Sequence, residues 1–172
     1  MLNGHADFMK IALISDTHNN RYGIEEALGR LIKVDIHTVI HCGDMTNGET
    51  ADLFKDFCIH HVWGNGDVDT LSIQFAIQEC KPGSSTGEIY TDMIDGKRVA
   101  AIHGHNYSLL RTLSENGHYD YVFHGHTHRK RDETFGKTRV INPGAIGGAI
   151  RSTRSFCVLD FLTGDLTEYP IG

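Results

Sequence analysis

The chain has 172 residues, ordinarily one domain and enough to bury a substantial core. Its 40% hydrophobic and 22% charged residues are those of a common globular protein. A formal net charge of -6 with no cluster of Lys or Arg excludes a surface that coats duplex nucleic acid. A single nucleotide stays admissible as substrate, because a bound metal reverses the local sign. No apolar stretch reaches the ~20 residues of a membrane span. Cys42, Cys58, Cys80 and Cys157 show no C-x-x-C spacing and are too few to form a disulfide scaffold in a chain this long. Cys42 and Cys157 lie in apolar runs and read as buried thiols, so a reducing compartment, the cytoplasm, is expected. Residues 1–8 lack the basic start and apolar core of a signal peptide. They are expected to be a disordered extension ahead of a single domain over 9–172.

In chain order, Ile11–Ser15 is a short apolar run that reads as a buried strand. Ile24, Ala27, Leu28, Leu31 and Ile32 then repeat at i, i+3, i+4, i+7, i+8, the stripe of an amphipathic helix. Thr38–Gly43 is a second strand run, and Leu53, Phe54, Phe57 and Cys58 mark a shorter helix. A third strand spans Ile59–Gly64. This β-α-β-α-β order predicts parallel strands joined by right-handed crossovers. Residues 69–80 alternate as a strand would, yet carry no breaker before Pro82, and are read as helix. Residues 81–87 read as a loop. Ile89–Ile94 and Arg98–Ile102 flank Asp95-Gly96 as a hairpin. Tyr107–Asn116 reads as a helix closed by Gly117, followed by a strand ending near Gly125. From residue 130 onward the chain reads as all-β, with turns at 136–137 and 163–165 and a rigid loop over 142–148. Parallel strands first and antiparallel strands later predict one or two mixed sheets.

Chemistry-bearing residues sit where these strands end. Asp16 and His18 follow the first run, Asp44 the second, Asn65 the third, His103 the fourth, and His126 and His128 the run ending at Gly125. In open α/β sheets, ligands bind just beyond the carboxyl ends of strands, so five ends deliver seven potential metal ligands toward one crevice. Taken alone, Asp16-x-His18 reads equally well as a helix cap beside an unrelated histidine. Gly43-Asp44 could simply cap the next helix, and Asn65 in Gly64-Asn65-Gly66-Asp67 is a common turn residue. The discriminating pieces are His103-Gly-His105 and His124-Gly-His126-Thr-His128. Two compact His-Gly-His clusters accompanied by two aspartates are hard to assign to packing, and neutral imidazole is a common ligand for Zn, Mn and Fe. The set is too large for one tetrahedral ion and contains no paired cysteines. Seven ligands with one shared carboxylate fit two metals.

In order and type, D-x-H, G-D, G-N-x-D, H and G-H-x-H resemble the calcineurin-like metallophosphoesterase superfamily, most closely its small single-domain prokaryotic phosphodiesterases. The resemblance spans residue 9 to about residue 150. It implies an α/β fold, a four-layer α-β-β-α sandwich of two mixed sheets flanked by helices, and a binuclear centre. One ion would take Asp16, His18, Asp44 and His128; the other would take Asp44, Asn65, His103 and His126, with Asp44 bridging. His41 and His124 match no ligand position and read as supporting or packing residues. Many members carry a histidine where this chain has Gly66, which leaves the leaving-group proton to His105 or to a bound water. The family's Asn-Pro-Gly-Ser is here Asn142-Pro143-Gly144-Ala145, removing a hydroxyl contact to substrate.

The implied activity is hydrolysis of phosphodiesters by attack of a metal-bridging hydroxide. Two divalent ions, two aspartates and a hydroxide leave a net charge of about +1, attractive to a phosphate ester. Two ions ~3.5–4 Å apart can hold nucleophile and phosphoryl oxygens for in-line displacement, with bound water acidified to a pKa of ~7. Mn²⁺ is the first expectation for the ion, with Ni²⁺, Fe and Zn²⁺ as alternatives, since imidazole and carboxylate do not select among them. No Gly-x-Ser-x-Gly elbow offers a covalent route, and the Gly144–Gly148 run does not open a helix as a dinucleotide fingerprint must. The rival activities are a phosphomonoesterase and a non-catalytic protein-binding scaffold of the same fold, as in a retromer subunit. The expected partner is a small phosphate-ester substrate, with a homo-oligomer of two or four copies and no membrane.

Overall fold

The computed structural model describes residues 9–172, so the disordered extension expected over residues 1–8 lies outside the described residues. The chain runs β1 (Lys10–Ile14), α1 (Arg21–Lys33), β2 (Thr38–His41), α2 (Gly48–Ala51), β3 (Cys58–Val62), α3 (Thr70–Gln78), β4 (Ser85–Gly87), β5 (Tyr90–Ile94) and β6 (Lys97–Ala101). It continues through α4 (Tyr107–Glu115), β7 (Tyr121–Phe123), β8 (Arg131–Phe135), β9 (Thr138–Asn142), β10 (Ser155–Asp160) and β11 (Leu166–Pro170). Two mixed sheets result, one ordered β11-β10-β1-β2-β3-β4 and the other β5-β6-β7-β9-β8. In the first, β1 through β4 run parallel and β10 and β11 add antiparallel. In the second, β6, β7 and β9 are parallel, with antiparallel strands at both edges.

Strand alternation explains the layering. Because successive side chains point to opposite faces, Ala12 and Ile14 face one way while Ile11 and Leu13 face the other. Ala12, Ile14, Val39, Ile59 and Phe156 pack beneath α1 and α3 with Ile24, Leu31 and Ile73. Ile11, Leu13, Ile40 and Val62 meet Val99, Phe123 and Ile141 of the second sheet. On that sheet's outer face, Ala100, Val122 and Val140 receive Leu110 and Leu113 of α4. Three cores separate four layers, helix-sheet-sheet-helix. Fully buried side chains such as Phe54, Phe123 and Phe156 each contribute roughly 1.5–3 kcal/mol by transfer from water.

The expectations fail in four places. Ile32 is 54% exposed; the buried stripe of α1 is Gly23, Ile24, Ala27, Leu28 and Leu31, because the helix lies on a flat sheet that covers only a narrow arc. The second helix is one turn, capped by Asn47 and continued by a 3₁₀ turn over Asp52–Phe54. Phe57 and Cys58 lie outside it, since a tight turn (Phe57 N–H to Phe54 C=O, 2.8 Å) already brings both rings into the core. The loop over 81–87 ends in the edge strand β4, paired in parallel with β3. Finally, the parallel pairing of β7 with β9 shows that antiparallel strands do not simply follow parallel ones. Among the described residues, no helix is long and apolar enough to cross a membrane.

Candidate metal centre

The carboxyl ends of β1, β2, β3, β6 and β7 meet at one edge of the sandwich, and the backbone there is unusual. Asp16 (φ 51°), His18 (42°), Asp44 (59°), His126 (65°) and His128 (56°) all adopt left-handed conformations. Each costs a non-glycine residue roughly 1–2 kcal/mol and persists only where its surroundings impose it. Here they do. Asp16 N–H donates to Gly43 C=O (2.9 Å) and His18 N–H to Asp44 C=O (3.1 Å), tying the loop after β1 to that after β2, and Gly125 N–H donates to His103 C=O (2.9 Å), tying the loop after β7 to that after β6.

Asp67 is the clamp between the second and third loops. One carboxylate oxygen accepts from Met45 N–H (2.6 Å) and Thr46 N–H (2.7 Å), the other from Gly64 N–H (2.7 Å) and Asp44 N–H (3.1 Å). His61 Nε2 lies 3.2 Å from the second oxygen with both side chains fully buried. Burial alone would raise this carboxyl's pKa, but His61 and the backbone donors outweigh it and hold the group below the ordinary carboxylate range. The two glycines beside Asn65 make room for the clamped carboxylate. A Cβ on Gly64 would collide with Asp44, and one on Gly66 would stand 3.0 Å from its Cγ. Gly66 N–H donates to Asp44 Oδ1 at 2.7 Å.

Within this frame the donors converge. Asp16 Oδ1 lies 3.2 Å from His128 Nε2 and 3.9 Å from His18 Nε2. The His18 and His128 Nε2 atoms are 3.1 Å apart. Asp44 reaches both sides, Oδ2 at 3.7 Å from His18 Nε2 and Oδ1 at 3.4 Å from His103 Nε2. Two groups form, Asp16-His18-His128 and Asp16-Asp44-His103, each with donor atoms within 4.8 Å of one another. The resemblance pairs His103 with Asp44, Asn65 and His126. The structure brings Asp16 to that side as well, because its wholly buried carboxylate stands between the two groups. His126 is exposed, its ring centroid 5.1 Å from that of His103. Asn65 is exposed in the turn between the two glycines. His105 is exposed on the rim, 5.5 Å between ring centroids from His103 and 6.3 Å from His126.

The donor set fits a cation. Asp16 Oδ2 is occupied, accepting from Ser15 Oγ–H (2.6 Å) and His126 N–H (3.0 Å), whereas the buried Oδ1 has no hydrogen-bond partner. His103 Nδ1 faces Cys42 C=O at 2.7 Å. A carbonyl only accepts, so Nδ1 carries the proton and the equally partnerless Nε2 presents its lone pair inward. Native proteins rarely leave buried polar atoms unsatisfied. Burial first, then the nearby Asp44 charge, pushes the Asp16 carboxyl up to about 7, against the pull of Ser15, His18 and His126 N–H. Burial, with His126 and His105 adding, pushes the His103 imidazole down. A divalent ion would relieve the cost of Asp16 and use the lone pair of His103.

Sequence reasoning missed Ser15, Asp67 and the anchoring role of Asn142. The Asn142 side-chain amide donates to Gly125 C=O (2.8 Å) and Thr127 Oγ1 (3.1 Å), pinning the loop that carries His126 and His128. Only Asp67 carried a signal, being the carboxylate of its glycine-rich turn. Buried His41 donates from Nε2 to Thr17 Oγ1 (3.2 Å), since its Nδ1 accepts Gly43 N–H. The resemblance ties Ala145 to a lost substrate hydroxyl, yet this residue is 1% exposed.

Comparison with known proteins points the same way. The family model of the calcineurin-like phosphoesterase superfamily domain matches residues 9–164. Phosphodiesterase MJ0936 of Methanocaldococcus jannaschii is 29% identical over 154 residues, covering 88% of this chain and 93% of its own. A solved structure of an archaeal phosphodiesterase superposes with a TM-score of 0.88 at 28% identity, covering 94% of this chain and 99% of that one. Wild-type Vps29 complexed with Zn²⁺, from Entamoeba histolytica, shares the fold at a TM-score of 0.68 and 24% identity, covering 94% and 91%.

Proposed function

The chain belongs to the calcineurin-like phosphoesterase superfamily, and from that premise we propose that it is a metal-dependent phosphodiesterase with a binuclear centre. Asp16, His18, Asp44 and His128 hold one ion and Asp44, Asn65, His103 and His126 the other, within a single domain over 9–172. The observation that carries this is the pair of buried, partnerless donor atoms, Asp16 Oδ1 and His103 Nε2, facing the same carboxylate-lined centre. Asp44 would be shared between the two ions, with Oδ2 near His18 Nε2 and Oδ1 near His103 Nε2. Oxygen and imidazole donors without a thiolate suit Mn²⁺, and also Ni²⁺, Fe or Zn²⁺. When bound, such a pair supplies charge neutralisation at the phosphoryl group and a nucleophile near neutral pH.

The residues of the chain do the rest. Asp67 and the left-handed loops fix Asp44 before substrate arrives, so little reorganisation is needed. Cys42 C=O fixes the His103 tautomer. With Gly66 where many relatives carry histidine, His105 on the rim is the side chain able to protonate a leaving oxygen. Diester rather than monoester chemistry rests on the names of the relatives with 28–29% identity. A purely scaffolding role leaves the complete set of donors without a purpose.

The test is hydrolysis of bis(p-nitrophenyl) phosphate against p-nitrophenyl phosphate, with EDTA and with Mn²⁺, Ni²⁺, Fe²⁺ or Zn²⁺ restored. Metal-restored diester turnover is expected, with loss in Asp44→Asn and His126→Ala. Inactivity under every metal, or full activity in both variants, would overturn it.

A further inference from the structure

Among the described residues, two of the concavities are large enough to hold a small molecule. The larger, about 900 Å³ beside α1 and lined by Arg21, Leu28 and Asp56, shares no residue with the donor groups. The smaller, about 520 Å³, shares His128 with the candidate metal centre and so adjoins it. That volume falls within the roughly 300–1,000 Å³ of small-ligand sites. Its lining comes from two segments, His128, Arg129 and Lys130 from one and Gly148, Ala149 and Ile150 from the other. The second segment is a tied turn: Thr153 N–H donates to Ile150 C=O (3.1 Å) and Arg154 Nε to Gly148 C=O (2.7 Å). The cleft is thus built before any ligand enters.

Its chemistry is two-sided. Ile150 is 65% exposed, an apolar surface left open to the cleft. The same lining holds a cation without a counter-charge. Lys130 pairs with Glu168 and Arg131 with Glu133, whereas Arg129 has no carboxylate at ion-pair distance among the described residues. In a protein of net charge -6, a free guanidinium beside the centre is a specific invitation to an anion.

We propose that this cleft receives the second ester group of the substrate, and selects phosphodiesters whose second alcohol is bulky, apolar along one side and carries a further negative charge. The apolar side lies on Ala149 and Ile150 and the extra anion meets Arg129, while the reacting phosphoryl group sits at the donor cluster beyond His128. This rests on the phosphodiesterase reading above.

The experiment uses three diesters that all release p-nitrophenolate: methyl, phenyl and 4-carboxyphenyl p-nitrophenyl phosphate, with Mn²⁺-loaded protein. The phenyl ester should exceed the methyl ester in kcat/KM on the order of tenfold, and the 4-carboxyphenyl ester should exceed the phenyl ester severalfold. Ile150→Asp should bring the phenyl-to-methyl ratio near unity, and Arg129→Ala the carboxyphenyl-to-phenyl ratio. In chelator-treated protein, saturation-transfer NMR should detect 4-carboxyphenyl methylphosphonate bound, with the signal lost in Arg129→Ala. A flat series, or ratios untouched by both variants, overturns the cleft and leaves the diesterase standing. Inactivity on all three esters with every metal overturns both.

Discussion

Replacing Asp16 by Asn gives the most direct measure of the candidate centre. Asp16 has no solvent exposure, and burial with the neighbouring Asp44 lifts its carboxyl from 3.8 to about 7. In the cation-free protein the folded state therefore keeps this proton up to about pH 7, while the unfolded chain loses it near 3.8. Between the two the folded state binds more protons, so stability falls as pH rises and levels off above 7. At 1.36 kcal/mol per pH unit, the loss approaches about 4 kcal/mol at pH 8 as an upper limit. Asn cannot ionise and tolerates the left-handed backbone. Its carbonyl can accept from Ser15 Oγ–H and His126 N–H while its amide faces His128. With EDTA, Asp16→Asn should match the wild type near pH 4 and melt higher at pH 8, by up to roughly 8–16 °C. With Mn²⁺ at a hundredfold excess over Kd the gap should narrow by about 2.7 kcal/mol, because the wild type gains ligation energy and the variant gains little. Scanning calorimetry from pH 4 to 8 with each additive decides it. Parallel curves in EDTA would refute the buried, protonated carboxyl, and an equal gain from Mn²⁺ in both proteins would refute Asp16 as a ligand.

Three further outcomes are expected. Asp67→Asn turns one acceptor toward two backbone N–H donors into a donor; a loss on the order of 3 kcal/mol in urea unfolding should result, and weaker Mn²⁺ uptake should accompany it because the Asp44 loop is freed. Gly64→Ala drives a methyl group into the Asp44 carboxylate and should abolish metal-restored hydrolysis while circular dichroism retains the α/β signature. Ser15→Ala removes the 2.6 Å donor to Asp16, so the carboxyl rises further and Mn²⁺ affinity at pH 7 should fall about tenfold by titration calorimetry, less so at pH 8.5.

Much of the fold was legible because the parallel strands are short apolar runs with polar residues at their carboxyl ends. Ile11 to Ile14 reads as a strand buried on both faces, and both faces are in fact covered. The ambiguous stretch over 69–80 resolves as helix α3, started by the Asp69 side chain accepting Ser72 N–H at 3.3 Å. Strand β4 was illegible because Ser85-Thr86-Gly87 has no pattern; only backbone pairing defines it. For the site, the residue types were plain, since histidines and aspartates follow the strands. What could not be read is everything acting through space. Asp67 works through four amides on two loops, Ser15 through one oxygen of Asp16, and Asn142 through a carbonyl 17 residues away. Nor does the linear order reveal that Asp16, rather than Asp44 alone, stands between both donor groups.

Neither sheet owns a complete set of donors. Asp16, His18, Asp44 and Asn65 leave strands of the first sheet, and His103, His126 and His128 leave strands of the second. A cation held between them would act as a rivet through the sandwich, and its departure would loosen the seam where the two halves abut before either half frays. During synthesis the acidic partners emerge long before the last imidazoles, so the nascent polypeptide can grip an ion fully only after β7 has docked.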